Sequence, residues 1–294
     1  MNTNDSLTDS RIGRIVELAL MEDIGVGDIT GDAVIAETDL GAAVILCKQE
    51  GIVAGIEVAG IVFSYCDHSI TLHPLVQDGS RVTPGGVLAR VDGNAKAILR
   101  GERTALNFLQ RMSGIATLTG EFVRAVAGTG AKITDTRKTA PGLRVFDKMA
   151  VRLGGGVNHR FGLDDMVLIK DNHIVASGGI AAAVTRCRSY LAEHHIEARI
   201  EVETKNLAEV DEALSCTGVG RIMLDNFSPV LMKKAVERIG RSVEVEASGG
   251  ITLGTVREYA ETGVDFISVG ALTHSARALD ISLELSQTAR GRTH

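Results

Sequence analysis

Beyond Gly130 the chain alternates short apolar runs with helical stretches, and this alternation limits the fold more than any other feature. The runs are AKIT (131–134), MVLI (166–169), RIEV (199–202), RIML (221–224), VEVE (243–246) and DFIS (265–268). Between the last five lie IAAAVTRCRSYLAEH, LAEVDEALS, SPVLMKKAVERI and TLGTVREYAETG. A short apolar run followed by a helix, repeated at a period of roughly 20 to 30 residues, predicts βαβ units and a parallel sheet. Six such units exceed half of a dinucleotide-binding fold, and no G-x-G-x-x-G follows the first run. The expected class is α/β: an incomplete (β/α) barrel with an N-terminal α+β sandwich-like domain.

The first part of the chain reads differently. Ile12, Ile15, Val16, Ala19 and Leu20 recur at helical spacing after Asp9 or Ser10, either of which suits an N-cap. AAVILCKQ and SITLHPLV then read as strands joined by turns. An amphipathic helix starting at Gly101, broken or bent near Ser113 and Gly114, is expected to bridge the domains. The expected division is an N-terminal domain over 1–115, joined by a C-terminal helix over 275–294, and a catalytic barrel over 116–274. LVQDGSRVTPGGVLARVDG shares the strand-turn spacing of biotinyl and lipoyl carrier domains, but the nearby lysine, Lys96, lacks their usual flanks.

A formal net charge of -6 argues against a broad basic face for nucleic acid or anionic membrane. The polar start MNTNDSLTDS and a longest apolar stretch interrupted by Glu57 give no membrane or secretion segment, so a cytoplasmic protein is expected. Cys47, Cys66, Cys187 and Cys216 are too scattered for a zinc site and read as buried reduced thiols.

In a parallel barrel the chemistry stands where the strands end. Here those ends deliver Asp135, Arg137 and Lys138, then Lys170, Glu203, Asp225, Ser248 with Gly249 and Gly250, and Ser268 with Gly270. GGGVNHRFGLDDMVLIKDNHI adds His159 and Arg160. Like charges about 4 Å apart repel by on the order of 4 kcal/mol at an effective dielectric near 20. Any one of these cations is readily a surface ion pair, with Asp135, Asp164, Asp165 and Asp171 at hand. Arg137, Lys138, Arg160 and Lys170 together at consecutive strand ends call for a multiply negative ligand. EASGGIT and SVGALTHSA each follow a strand and open towards a helix, which suits a phosphate. Glu203 and Asp225 are placed to ligate Mg²⁺, hold ribose hydroxyls or stabilise a cationic transition state.

GERTALNFLQRMSGIATLT, DTRKTAPGLR, GGGVNHRFGLDDMVLIKDNH, EVET, LDNF, EASGGI and SVGALTHSA, in this order, resemble the nicotinate-nucleotide pyrophosphorylases, also called quinolinate phosphoribosyltransferases. The resemblance runs from about Glu22 to the last expected helix. It implies conversion of quinolinate and phosphoribosyl pyrophosphate to nicotinate mononucleotide, pyrophosphate and CO₂ on the route to NAD, with Mg²⁺ and no organic cofactor. By the same resemblance, Arg137, His159, Arg160 and Lys170 hold the quinolinate carboxylates and Lys138 lies close to phosphoribosyl pyrophosphate. Glu203 and Asp225 match the carboxylates near ribose and Mg²⁺, directly or through water. Ser248, Gly249 and Gly250 with Ser268 and Gly270 match the 5′-phosphate site. Arg103 resembles an arginine that reaches the neighbouring subunit's site, which implies a homodimer or a larger oligomer. The rival readings are a same-fold enzyme with another substrate, such as relatives linked to molybdenum transport or a nicotinate-using transferase, and a non-catalytic phosphate-sensing barrel.

Overall fold

The computed structural model describes residues 9–286, and the chain divides into two compact units. Within the described residues, unit 1 runs to Gly120 and regains the chain at Thr139–Gly155 and from Thr273 onward, while unit 2 comprises Glu121–Lys138 and Gly156–Leu272. The sequence division at 115/116 did not anticipate the mid-chain return over 139–155.

In unit 1, α1 (Ser10–Ile24) starts at Asp9, whose carboxylate accepts the Arg11 N–H at 2.9 Å. It buries Ile12, Val16 and Leu20, one residue per turn on a single stripe. After α2 (Ile29–Val34), β1 (Leu40–Cys47) buries every second residue, Gly41, Ala43, Ile45 and Cys47, as a half-covered strand requires. Then follow β2 (Gly51–Ile52), α3 (Ile56–Cys66), β3 (Thr71–Pro74), β4 (Arg81–Val82) and β5 (Val87–Asn94).

The next helix, α4 (Ala95–Ala125), is 31 residues long, begins before Gly101 and is continuous through Ser113 and Gly114. The helix is not broken there, and those two residues serve packing. The Ser113 hydroxyl accepts the Ala54 N–H at 2.9 Å and donates to the Ala54 carbonyl at 3.2 Å. A Cβ at Gly114 would stand 2.0 Å from the Arg277 carbonyl oxygen, so only glycine lets that segment pass. Lys96, in the first turn of α4, is 5% exposed, with Nζ 2.7 Å from Glu37 and 3.2 Å from Asp32. A lysine so enclosed is no swinging-arm attachment point, which removes the carrier reading.

The chain continues through β6 (Lys132–Thr134), α5 (Arg144–Leu153), β7 (Val167–Ile169), α6 (Asp171–Ser177), α7 (Ile180–Glu193) and β8 (Ile200–Thr204). It closes with α8 (Leu207–Ser215), β9 (Val219–Asp225), α9 (Pro229–Ile239), β10 (Glu244–Ser248), α10 (Val256–Ala260), β11 (Phe266–Ser268), α11 (Ala271–His274) and β12 (Ile281–Ser286). The expected C-terminal helix over 275–294 is not found: residues 275–280 are irregular and Ile281–Ser286 is a strand. ISLELS alternates apolar and polar residues at period two, and β12 pairs antiparallel with β1, Leu285 opposite Ala43. Residues 287–294 lie outside the described residues.

Unit 1 holds the antiparallel sheet β12-β1-β5-β3, and unit 2 the parallel sheet β6-β11-β10-β9-β8-β7. All six barrel strands fall on the six apolar runs of the sequence. A parallel bridge joins Thr134 to Val157, so the segment ahead of β7 lies beside β6. The four cysteines are free, but only Cys47 is buried; Cys66, Cys187 and Cys216 are partly exposed. No helix among the described residues is long and apolar enough to cross a membrane.

Candidate functional site

Strands β8, β9 and β10 lie side by side, with Glu201, Arg221 and Glu244 in register and Glu203, Met223 and Glu246 one step further on. Because side chains alternate, these residues share one face of the sheet, while Val202, Ile222, Leu224, Val245 and Ala247 line the other. That polar face ends at Asp225 and Ser248, which are themselves partners in register. The sequence reading took RIEV, RIML and VEVE as apolar runs and passed over Glu201, Arg221 and Glu246. Their signal was a charge at every second position of strands that should be covered on both faces.

The structure gathers the expected unit 2 residues at the strand ends. Lys170 follows β7 and its Nζ lies 2.9 Å from Oε2 of Glu203, which is 9% exposed. Arg160 is 9% exposed and donates to the Met166 carbonyl at 3.0 Å. Burial first, and then the Arg137 guanidinium, pull Arg160 below the usual arginine value. Two guanidinium groups thus share one part of the site. Asp135 is fully buried and accepts the His159 N–H at 2.9 Å, while Asp165 accepts the Phe161 N–H at 2.7 Å and Asp171 pairs with Lys205 at 2.9 Å. Arg103 lies on α4 and Arg144 at the start of α5, both in unit 1 together with the rest of the DTRKTAPGLR loop after Lys138.

His159 stands over the buried charges. Its Nε2 is 3.1 Å from Glu201 Oε2 and 3.4 Å from Glu246 Oε2, and Arg221 donates to the same Glu246 oxygen at 2.9 Å. Burial alone would lower the His159 pKa, but Glu201 and Glu246 carry it up to about 9. Burial and the neighbouring Glu246 carboxylate raise Glu201. His159 and Arg221 outweigh burial at Glu246 and lower it. Glu201 Oε1 and Glu246 Oε1 are buried with no hydrogen-bond partner.

The glycine loop after β10 is built for close approach. Gly249 has φ +101°, and a Cβ there would lie 2.3 Å from Asn226 Oδ1 and 2.8 Å from the Asn226 nitrogen. Asn226, another residue the sequence reading passed over, adopts φ 58° directly after Asp225 and donates to Asp225 Oδ2 at 2.7 Å. Ser268 Oγ donates to the Ala247 carbonyl at 3.2 Å. Neither loop opens a long helix: a turn over Thr252–Thr255 separates Gly250 from α10, and α11 has four residues. Any phosphate is therefore held by loop amides more than by a helix dipole, because so short a helix sums few peptide dipoles.

Glu203 and Asp225, at the ends of adjacent strands, offer hard carboxylate oxygens. That donor set fits Mg²⁺, which takes one or two protein carboxylates and completes its shell with water and substrate oxygens. The buried trio His159, Glu201 and Glu246 brings its ligand atoms within 4.8 Å of one another, but the Arg221 guanidinium is buried with it, whereas the Lys170 side chain that pairs with Glu203 is 46% exposed and free to turn to solvent. The trio is the poorer place for a cation.

The family model "Quinolinate phosphoribosyl transferase, C-terminal domain" matches residues 115–284, and its N-terminal counterpart matches 28–113. The chain belongs to the quinolinate phosphoribosyltransferase family. Among relatives of this family, the tobacco protein named quinolinate phosphoribosyltransferase [decarboxylating] 2a, mitochondrial, is 48% identical over 286 residues, spanning 92% of this chain and 81% of its own length. The probable nicotinate-nucleotide pyrophosphorylase [carboxylating] of Bacillus subtilis is 41% identical over 276 residues, 94% of each chain. The solved nicotinate-nucleotide pyrophosphorylase of Francisella tularensis superposes with a TM-score of 0.88 at 41% identity, covering 94% of this chain and 96% of that one.

Proposed function

We propose that this chain transfers the phosphoribosyl group of phosphoribosyl pyrophosphate to the ring nitrogen of quinolinate and releases the adjacent carboxylate, giving nicotinate mononucleotide, pyrophosphate and CO₂. The observation that carries the reading is the buried guanidinium of Arg160, close enough to feel the charge of Arg137, with Lys170 at the next strand end. Such an arrangement is costly unless an anion joins it, and a dicarboxylate supplies two charges. Nicotinate, with one carboxylate, would leave part of that charge uncompensated.

In this reading Arg137, Arg160 and Lys170 take the two carboxylates, with His159 in support, and Lys138 faces the pyrophosphate as it departs. The amides of Ser248–Gly250 and Ser268–Gly270 hold the 5′-phosphate. Mg²⁺, when bound at Glu203 and Asp225, supplies charge neutralisation at the pyrophosphate. One or both carboxylates also stabilise the oxocarbenium-like ribose carbon as the C–O bond to pyrophosphate breaks. The pyridine nitrogen lone pair forms the new C–N bond and leaves the nitrogen cationic. That cation lies beside C2, so it stabilises the electron pair left when the C2 carboxylate departs as CO₂, and a proton then replaces it.

Arg103 is assigned to the site of the partner subunit, which makes the working unit a homodimer. The test is product analysis: quinolinate, phosphoribosyl pyrophosphate and Mg²⁺ should yield nicotinate mononucleotide, and nicotinate in place of quinolinate should yield far less. Equal use of nicotinate would refute the dicarboxylate assignment. Tight phosphoribosyl pyrophosphate binding without turnover of either acid would favour a phosphate-sensing barrel.

A further inference from the structure

Glu201, Arg221 and Glu246 are 0%, 8% and 0% exposed, in strands whose neighbours are apolar. Buried ion pairs can often be exchanged for apolar groups with no loss of stability, so stability alone does not account for three of them. They converge on His159, whose side chain is 6% exposed. Its Nε2 meets Glu201 at 3.1 Å and Glu246 at 3.4 Å, and Arg221 fixes the Glu246 oxygen from β9. On the other side of the ring, the Arg160 backbone N–H donates to Nδ1 at 2.8 Å. On the chain side, Asp135 from the end of β6 accepts the His159 N–H.

We infer that Glu201 and Glu246 are positioning residues that act through His159, holding its ring as the Nε2–H tautomer so that Nδ1 anchors the main chain of Arg160. Two N–H groups cannot face each other at 2.8 Å, so the Arg160 amide requires a lone pair on Nδ1. The carboxylates require the hydrogen on Nε2. Taken alone, Glu201 and Glu246 favour the doubly protonated ring and, against burial, carry its pKa up to about 9. The Arg160 amide opposes that second proton, and its contact with Nδ1 decides between them. Both ring nitrogens are thereby committed to the protein, and His159 becomes a strut beneath Arg160 rather than a group that touches the substrate. The inference rests on Arg160 being a quinolinate ligand.

The first test reads the wild-type protein and uses a variant only for assignment. Nitrogen NMR of the full-length protein labelled at histidine, with the His159 signals assigned by their loss in His159→Gln, should show one protonated and one unprotonated ring nitrogen at pH 7 to 8. Two protonated nitrogens would overturn the inference and return His159 to the role of a cationic ligand. The second test is kinetic. Glu201→Gln keeps an acceptor for Nε2–H and should stay near wild type, whereas Glu201→Leu should raise the quinolinate KM about tenfold with the phosphoribosyl pyrophosphate KM unchanged, below the roughly hundredfold that a full 1 Å misplacement can cost. In an Arg160→Lys background the same Glu201→Leu change should add little. An equal rise in both backgrounds would mean a general structural effect and refute the positioning role. If the wild-type protein does not consume quinolinate, the reading of the site fails, while the tautomer measurement still decides the geometry.

Discussion

Gly249→Ala is a substitution whose cost can be worked out atom by atom. The residue sits at φ +101°, where a side chain costs about 1–2 kcal/mol. The new methyl would stand 2.3 Å from Asn226 Oδ1 and 2.8 Å from the Asn226 nitrogen. The side-chain amide can turn aside, but the backbone nitrogen is held by its bond to the Ser248 carbonyl at 2.8 Å, so the loop must shift. Forced repacking of this kind costs about 1–3 kcal/mol, giving about 2–5 kcal/mol in all, against a usual total stability of about 5–15. Turning Asn226 aside also releases Asp225, which it holds at 2.7 Å. Gly250→Ala is the matched control: φ is +60° and open space surrounds its Cβ position, so only the strain of about 1–2 kcal/mol applies. Urea unfolding and steady-state turnover, measured in parallel, should show Gly249→Ala less stable than Gly250→Ala and with the higher KM for phosphoribosyl pyrophosphate. Equal behaviour of the two variants would refute the close-approach argument.

Arg111→Ala should lower stability by about 3–5 kcal/mol, because it strips the fully buried Asp147 of a two-point partner at 2.8 Å and 2.8 Å; an unfolding midpoint at the wild-type value would contradict this. Arg160→Ala and Lys138→Ala should each cut turnover by about a hundredfold or more, as loss of one charge-stabilising group does, with folding intact by circular dichroism. Loss of the fold in either variant would mean a structural ion pair had been read as a ligand site. Arg103→Ala should be inactive alone, and mixing it with Lys138→Ala should restore part of the activity through hybrid dimers with one intact site. Verified hybrids with no recovery would remove the shared site. If His159 were instead doubly protonated at its pKa of about 9, the folded pKa would lie above the unfolded value near 6.5, and the resulting stability would fade as pH rises through 9. The Nε2–H tautomer predicts that His159→Gln leaves the pH profile of unfolding between 6.5 and 9 unchanged in shape.

Much of this architecture was legible before any coordinates. Six apolar runs became six parallel strands because period and length together leave a buried parallel strand few alternatives. The residues at their ends became one face of the molecule by topology alone. Other features depended on partners that sequence spacing does not encode. Ser113 and Gly114 suggest a break, yet the helix runs through them, and Ala54 and the Arg277 segment use a small hydroxyl and a missing side chain. ISLELS was read as part of a terminal helix, but its period-two pattern finds the free edge of β1, some 240 residues away. Glu201 and Glu246 escaped notice because alternating charges in a short run read as a solvent-facing side of the strand. Only the register of three adjacent strands makes them a cluster.

The central claim is carboxylate loss coupled to phosphoribosyl transfer, and release of labelled CO₂ from quinolinate carrying the label on its C2 carboxylate tests it most directly. The account predicts release only when the protein, phosphoribosyl pyrophosphate and Mg²⁺ are all present, matched one to one by pyrophosphate. Release without phosphoribosyl pyrophosphate, or pyrophosphate without CO₂, would contradict it.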